Sequence, residues 1–310
     1  MKAYLFDAGG EDKQLKAGEG CSKIADDQLL WIQVGLKDLI DRAKFDIPIF
    51  EDDLQNEHDP LIASKDYLIV RCPGFAHDKK SNNDIQFFVG RNWFVSQTDS
   101  KQPIFERFIE ADQGRGLRGN LTGIGLLTSL LLTSFETYQS RISRIDASID
   151  DLDETILESK HRSRILDDLA VLRTRNAALR RGFVKNRAIV RAITRPDISE
   201  VIDDRDTKHI AYLASVYDRV EDQIGAAREE VVASFELYAT KVAHETNELI
   251  KLLTVVTVLT GIIGAIAGIM GMNVDLPLKD AGPRGFYIVL VIMAGCNILI
   301  LALAKLRRWF

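Results

Sequence analysis

The sequence predicts an α+β cytoplasmic domain, a long α-helical stalk with a coiled hairpin, and two C-terminal transmembrane helices. Three observations lead there. Charge is unevenly spread, and residues 252–304 hold only Asp275, Lys279, Asp280 and Arg284. No proline falls between Pro196 and Pro277, and apolar residues recur there at helical spacing. Short apolar runs bounded by turn residues fill the N-terminal third instead.

Averages conceal this division. At 310 residues, 46% hydrophobic, 27% charged and net −5, the chain has the composition of an ordinary soluble protein. That composition excludes a disulfide-stapled mini-protein and wholesale disorder. Only five of the 40 basic and two of the 45 acidic residues follow Lys251, which leaves the first 251 residues at net −8. Cys21, Cys72 and Cys296 are widely spaced and form no C-x-x-C, as expected of reduced thiols. The stretch Met1-Lys2-Ala3-Tyr4-Leu5-Phe6-Asp7 lacks the basic and apolar regions of a signal peptide, so the body is expected in the cytoplasm.

Residues 1–133 read as the α/β body. Leu29-Leu30-Trp31-Ile32-Gln33-Val34, Tyr67-Leu68-Ile69-Val70, Ile85-Gln86-Phe87-Phe88-Val89 and Trp93-Phe94-Val95 are the expected strands. Helices are expected over 35–43 and 103–112, and the uncharged stretch 119–135 is too short and too interrupted to be a third span. Gly114-Arg115-Gly116-Leu117-Arg118-Gly119 matches G-x-G-x-x-G, but it follows a helical pattern with no βαβ unit around it, so it reads as a connector. With no Walker A, H-E-x-x-H or G-x-S-x-G motif and five scattered histidines, the chain is not expected to be an enzyme.

Residues 134–196 read as an antiparallel coiled hairpin. One seam is Ile142, Ile145, Ile149, Leu152 and Ile156. The other is Ile165, Leu169, Leu172, Leu179, Phe183, Val190 and Ile193, with Asn176 and Asn186 in phase as register-fixing polar positions. Eleven Lys and Arg against two Asp in residues 160–195 would suit a polyanion. Acids at Asp146, Asp150, Asp151, Asp153, Glu154 and Glu158 offer a partner helix instead, so no nucleic acid is expected.

Residues 197–251 form the cytoplasmic stalk, part of one helix running from about 206 to 271. At 1.5 Å per residue this is about 100 Å long, which requires partners along its length and implies self-association. The first span covers 252–274, a loop 275–284, the second span 285–304 and a basic tail 305–310; each span matches the ~20 apolar residues that cross a bilayer. Lys305, Arg307 and Arg308 place the tail, and with it both termini, on the cytoplasmic side.

The first span has two unlike faces. Thr254, Thr257, Gly261, Gly264, Gly268 and Gly271 step by 3 or 4 along one side, and Leu252, Val255, Leu259, Ile262, Ile266 and Ile269 take the other. A narrow small-residue stripe suits close helix packing or a pore wall, and periodicity leaves both open.

Gly271-Met272-Asn273, closing the first of two C-terminal spans, resembles the signature of the CorA family of divalent metal cation channels. Thr246-Asn247-Glu248-Leu249-Ile250-Lys251-Leu252-Leu253-Thr254 is similar to the family's T-N-E-V-M-K-V-L-T stretch, and the tail Lys305-Leu306-Arg307-Arg308-Trp309 to its basic-aromatic end. The resemblance implies a homopentameric funnel in an inner membrane, carrying Mg²⁺, Co²⁺ or Ni²⁺. It also implies a filter at Gly271, Met272 and Asn273 in which Asn273 reads the ion's hydration shell. By the same carry-over Asn247 forms an inner polar ring, Leu253 an apolar constriction and Gly268 a pore-facing position, whereas the stripe selects Thr254 instead of Leu253.

Asp275 and Asp280 are the acids of the external loop. Val216-Tyr217-Asp218 resembles the family's V-Y-D segment, which makes Asp218 a candidate ligand for a regulatory metal. The sequence departs from the family pattern at Gly261 and Ile262, where a bulky gate residue and proline are common, and at Met270 and Val274 beside the signature. These departures admit a ZntB-like Zn²⁺ transporter. A membrane-anchored coiled-coil scaffold is the reading of a different class.

Overall fold

The computed structural model describes residues 2–7, 13–15, 24–35, 45, 47, 61–64, 66–72, 85–98, 102–111, 121–158, 164–195, 202, 204–272 and 282–306. The chain divides into two compact units, Met1–Leu152 with His161–Val232 and Asp153–Lys160 with Ala233–Phe310.

The first unit is built on a seven-stranded sheet: β1 (Lys2–Asp7), β2 (Lys13–Leu15), β3 (Gln28–Val34), β4 (Leu61–Ala63), β5 (Leu68–Cys72), β6 (Ile85–Val89) and β7 (Trp93–Gln97), in the order β2-β1-β3-β7-β6-β5-β4. Central β3 and β7 are parallel, with Leu30 opposite Trp93 and Ile32 opposite Val95, and the remaining neighbours are antiparallel. The four apolar runs read as strands are β3, β5, β6 and β7, and they are apolar throughout because both sheet faces are covered. On one face Leu30, Ile32 and Val34 pack with Ile69, Phe88 and Val95. On the other, Trp31 meets Phe94, Phe105 and Phe108 edge-on, at ring distances of 6.3, 5.3 and 6.1 Å. The last two belong to α1 (Pro103–Ala111), the helix expected there. Trp31 is fully buried, and its indole N–H donates to the Ser96 hydroxyl at 3.0 Å. Of the helix expected over 35–43 only Gly35 is described, in no regular element, and the rest of it and the G-x-G-x-x-G stretch lie outside the described residues.

Helix α2 (Gly123–Glu158) runs unbroken through residues 133 and 134, where the boundary between body and hairpin is expected. Its first turns bury Ile124, Leu126, Leu127, Leu130, Leu131 and Phe135, so the described part of the uncharged stretch, 121–135, is core and not a span. Thr122 caps it: the Gly125 N–H donates to the threonine Oγ1 at 2.9 Å, and that hydroxyl donates to buried Asp206 at 2.6 Å. Gly123 is required by space, because a Cβ there would stand 2.1 Å from the Gly90 carbonyl oxygen of the β6–β7 turn.

Helices α3 (Ile165–Val184) and α4 (Asn186–Ile193) follow. Both expected seams are buried, including Asn176 and Asn186. At the break between α3 and α4 the Phe183 carbonyl accepts from the Lys185 N–H and, at 3.2 Å, from Asn186 Nδ2, while Asn186 Oδ1 accepts from the Cys72 thiol at 3.8 Å. The polar seam position thus ties the hairpin to β5. Burial, and then neighbouring Cys72, raise the pKa of the Tyr138 phenol. Phe183 stacks on Tyr217 at 4.7 Å and meets Phe135 and Tyr138 edge-on at 5.2 and 5.1 Å, where α2, α3 and the long helix α5 (Asp204–Met270) join. Arg187 of α4 pairs with Glu221 of α5, so a part of the basic run is neutralised by the stalk and not by α2.

Two hydrogen bonds fix how α2 lies on α5 in this unit. Thr122 bonds Asp206, and Gln139 bonds Gln223 at 3.5 Å; both pairs are 84 residues apart. Equal offsets mean parallel helices that advance in step. In the second unit Lys241 Nζ donates to the Leu157 carbonyl at 3.0 Å, again 84 residues apart. That unit also holds the rest of α5 and α6 (Pro283–Leu306).

Candidate functional site

Helix α5 covers 67 residues without proline, close to the single helix expected from 206 to 271. Its C-terminal part and α6 are both long and apolar enough to cross a membrane, with mean hydropathies of 2.3 and 2.6 in their most apolar stretches. Nearly all of both stretches is exposed in the single chain, as lipid- or partner-facing helices are and core helices are not.

Along α5 the covered positions are Val255, which is buried, and half-buried Leu259, Ile262 and Ile266. On α6 they are Gly285, Val289, Met293, Cys296, Asn297, Ile300 and Ala304. Both sets step by three or four along their helices, the pattern of two faces that pack together, and both stretches fall in one compact unit. Four of the six positions on the bulky side of the first span are thus covered, while Leu252 and Ile269 are exposed.

That leaves the small-residue stripe on the opposite side. Thr254, Thr257, Gly261, Gly264, Gly268 and Gly271 are all exposed. A Cβ on Gly261, Gly264 or Gly268 would meet nothing within 4 Å, and one on Gly271 only its own helix carbonyls, at 3.4 Å from Ala267 and 3.6 Å from Gly268. The packing reading is thereby narrowed: the stripe does not pack against the second span of its own chain. The hydroxyls of Thr254 and Thr257 donate to the carbonyls of Ile250 and Leu253, both at 2.8 Å. Their hydrogens are spent within the helix, and what they turn outward is oxygen lone pairs, acceptors for water.

Leu253 is 66% exposed and neighbouring Thr254 is exposed too, so neither candidate for the inner constriction lies on the covered face. Asn247 is exposed one heptad below Thr254. Nearby, the Lys251 ammonium donates to the Glu248 carboxylate at 2.7 Å and holds its pKa below the usual range. At the other end Gly271 N–H is shared between the carbonyls of Ala267 and Gly268, at 2.9 and 3.2 Å, and Met272 N–H reaches Ile269 at 3.2 Å, so α5 closes in a tight final turn. Asn273, Asp275 and Asp280 lie outside the described residues. Asp218 is exposed on α5. Among the described residues no three His, Cys, Asp or Glu side chains come together as ligands of a bare metal ion.

The family whose description is "CorA-like Mg2+ transporter protein" matches residues 27–308. The chain belongs to the CorA family. Membership makes it a membrane transport protein and not an enzyme. Among curated CorA relatives, the cobalt/magnesium transport protein CorA of Thermotoga maritima is 23% identical over 272 residues, which are 84% of this chain and 76% of that protein. The CorA magnesium transporter of Methanocaldococcus jannaschii has the same fold along its length, with a TM-score of 0.71 at 18% identity, covering 100% of this chain and 99% of that one. The cytoplasmic domain of ZntB from Vibrio parahaemolyticus shares the fold at a TM-score of 0.55 and 9% identity, over 79% of this chain and 98% of that domain. CorA membership absorbs the expected α+β body, the long helix and the two apolar C-terminal helices.

Asn297 of α6 has no assigned role among the sequence motifs. Its signal was available, since it is the single charged or carboxamide residue in 285–304.

Proposed function

We propose that the protein is a homopentameric channel that passes hydrated Mg²⁺, with Co²⁺ and Ni²⁺ as further cargo, down its electrochemical gradient. The observation that carries this reading is the stripe of Thr254, Thr257, Gly261, Gly264 and Gly268, exposed and turned away from α6. A helix whose bulky face is already covered presents this narrow side to copies of itself around an axis. The small residues leave room for an ion with its water, and the threonine oxygens accept from that water. In this arrangement α6 forms the outer, lipid-facing ring.

Mg²⁺ dehydrates reluctantly and usually keeps several waters. Five Asn273 carboxamides at the mouth would hydrogen-bond the intact shell, with Gly271 and Met272 completing the filter. The tight turn that closes α5 at Gly271 and Met272, directly before Asn273 in sequence, supports a filter at the end of the pore helix. Asn247 forms the inner polar ring, and Leu253 with Thr254 lines the step between. Asp275 and Asp280 draw cations toward the outer mouth, and the body at net −8 raises their concentration at the inner one. Both termini face the cytoplasm of an inner membrane, and Asp218 is a contact for a regulatory ion there.

Flux into proteoliposomes loaded with a Mg²⁺-sensitive dye tests the reading, with Asn273→Ala as the informative variant. Loss of flux or of discrimination among Mg²⁺, Co²⁺, Ni²⁺ and Zn²⁺ is expected. Flux untouched by Asn273→Ala sinks the filter assignment, Zn²⁺ flux indifferent to Mg²⁺ favours zinc transport, and no flux of any ion favours a scaffold.

A further inference from the structure

Asn297 stands about 4 Å along the axis from the middle of the second span, taking 1.5 Å per residue. Its Nδ2 donates to the Met293 carbonyl one turn earlier at 3.0 Å. Its Oδ1 is buried and has no hydrogen-bond donor among the described residues. The residue is half-buried and belongs to the covered face of α6, next to Cys296 and one turn from Met293. In an antiparallel hairpin with buried Val255 and buried Ala304 toward one end, Asn297 would stand level with Leu259 and Ile262. Neither side chain can donate a hydrogen bond. The hydroxyls of α5 at this depth, Thr257 and Thr260, donate to Leu253 and Val256 of their own helix, each at 2.8 Å.

A buried acceptor without a donor is costly, and in hydrocarbon no water makes up the loss. An apolar residue of similar size would remove that cost at this position. Ionisable and polar residues inside spans are expensive and tend to serve function.

We propose that Asn297 is a positioning residue for transport. Its unpaired oxygen raises the energy of the α5–α6 contact described above relative to arrangements of α6 that give the oxygen a donor, and so keeps the second span movable against the pore helix. The inference rests on the transport reading for its consequence, but its structural half stands apart from it. An orphaned carbonyl of this kind shifts a two-state balance by on the order of tenfold. A mutation moves such an equilibrium only through its differential effect on the two states, and removing the oxygen favours the closely packed one.

The test compares Asn297→Val and Asn297→Leu with wild type in the full-length protein. Thermal unfolding in detergent is expected to shift upward by a few degrees in at least one variant. Mg²⁺ flux in proteoliposomes is expected to fall roughly tenfold in maximal rate, with the half-saturating Mg²⁺ concentration and the ion preference unchanged. Two substitutions are used because leucine is larger than asparagine and can strain the contact by itself. Unfolding at or below the wild-type midpoint in both variants overturns the proposal, as does a stabilised variant that transports at the wild-type rate. Absence of flux from the wild-type protein would instead sink the channel reading. The unfolding comparison would then still decide whether Asn297 opposes the α5–α6 contact.

Discussion

Replacing Gly264 by leucine separates the two readings of the small-residue stripe, because the single chain has no objection to the change. A Cβ at Gly264 meets nothing within 4 Å, so no neighbouring atom of the chain need move. Leucine is the better helix former by about 0.7–1 kcal/mol, so α5 itself gains a little stability. In the proposed pentamer any loss must therefore arise between copies. If the stripe is a helix-packing surface of the small-xxx-small kind, a leucine side chain holds the backbones apart and the assembly dissociates. If it faces a conduction axis, five leucines project into the path while contacts at the shoulders of the helix persist. The assay pairs oligomeric mass in detergent with Mg²⁺ flux in proteoliposomes, and Gly264→Ala serves as the graded step. The proposed pore requires intact mass with flux lost for leucine and reduced for alanine. Wild-type flux with wild-type mass would refute the placement of the stripe on the axis. Dissociation at alanine would show that the stripe is an interface first.

Two further predictions address the body. Gly123→Ala would set a Cβ 2.1 Å from the Gly90 carbonyl oxygen and 2.9 Å from that of Trp93, both backbone atoms, and should destabilise the protein by ~2–4 kcal/mol; Gly225→Ala, with nothing within 4 Å, should be neutral or stabilising by up to ~1 kcal/mol, and thermal unfolding of the two variants checks the contrast. The Asp146 carboxyl has its pKa raised by burial and then by Asp150, so the folded state holds this proton more tightly than the unfolded chain does. Its contribution therefore opposes folding at neutral pH, is relieved as pH falls through the raised value and disappears below the ordinary value of 3.8. Asp146→Asn should stabilise the protein at pH 7 and lose that advantage toward pH 4, as urea unfolding across this range would report.

Strands and seams were legible where burial is two-sided or periodic. Trp31, Phe87 and Phe94 belong to runs with no polar face to hide, and the hairpin seams repeat at heptad spacing over many turns. Strands β1, β2 and β4 were not singled out, and β2 and β4 have three residues each, too few to show a period. The basic run was expected to answer the acids of α2, yet Arg187 pairs with Glu221 of α5. Residue spacing gives a helix its faces but not its neighbours, and Tyr217 of the stalk stacks on Phe183 of the hairpin. The stripe of the first span was legible for the same reason, and its distance from α6 was not. Both faces of that span are apolar or small, so hydropathy could not say which one the second span covers.

The equal spacing of the Thr122–Asp206 and Gln139–Gln223 contacts sets a rule for how this protein can change length. Between them α2 and α5 each advance seventeen residues, like two rulers laid edge to edge. One residue added to either would turn everything beyond it by about 100° and slide it by about 1.5 Å. Buried Ile142, for an insertion in α2, or buried Ile224, for one in α5, would then leave its place. Tolerated insertions here should come as matched pairs of about seven residues, one in each helix, so that two segments far apart in the sequence vary in length as one.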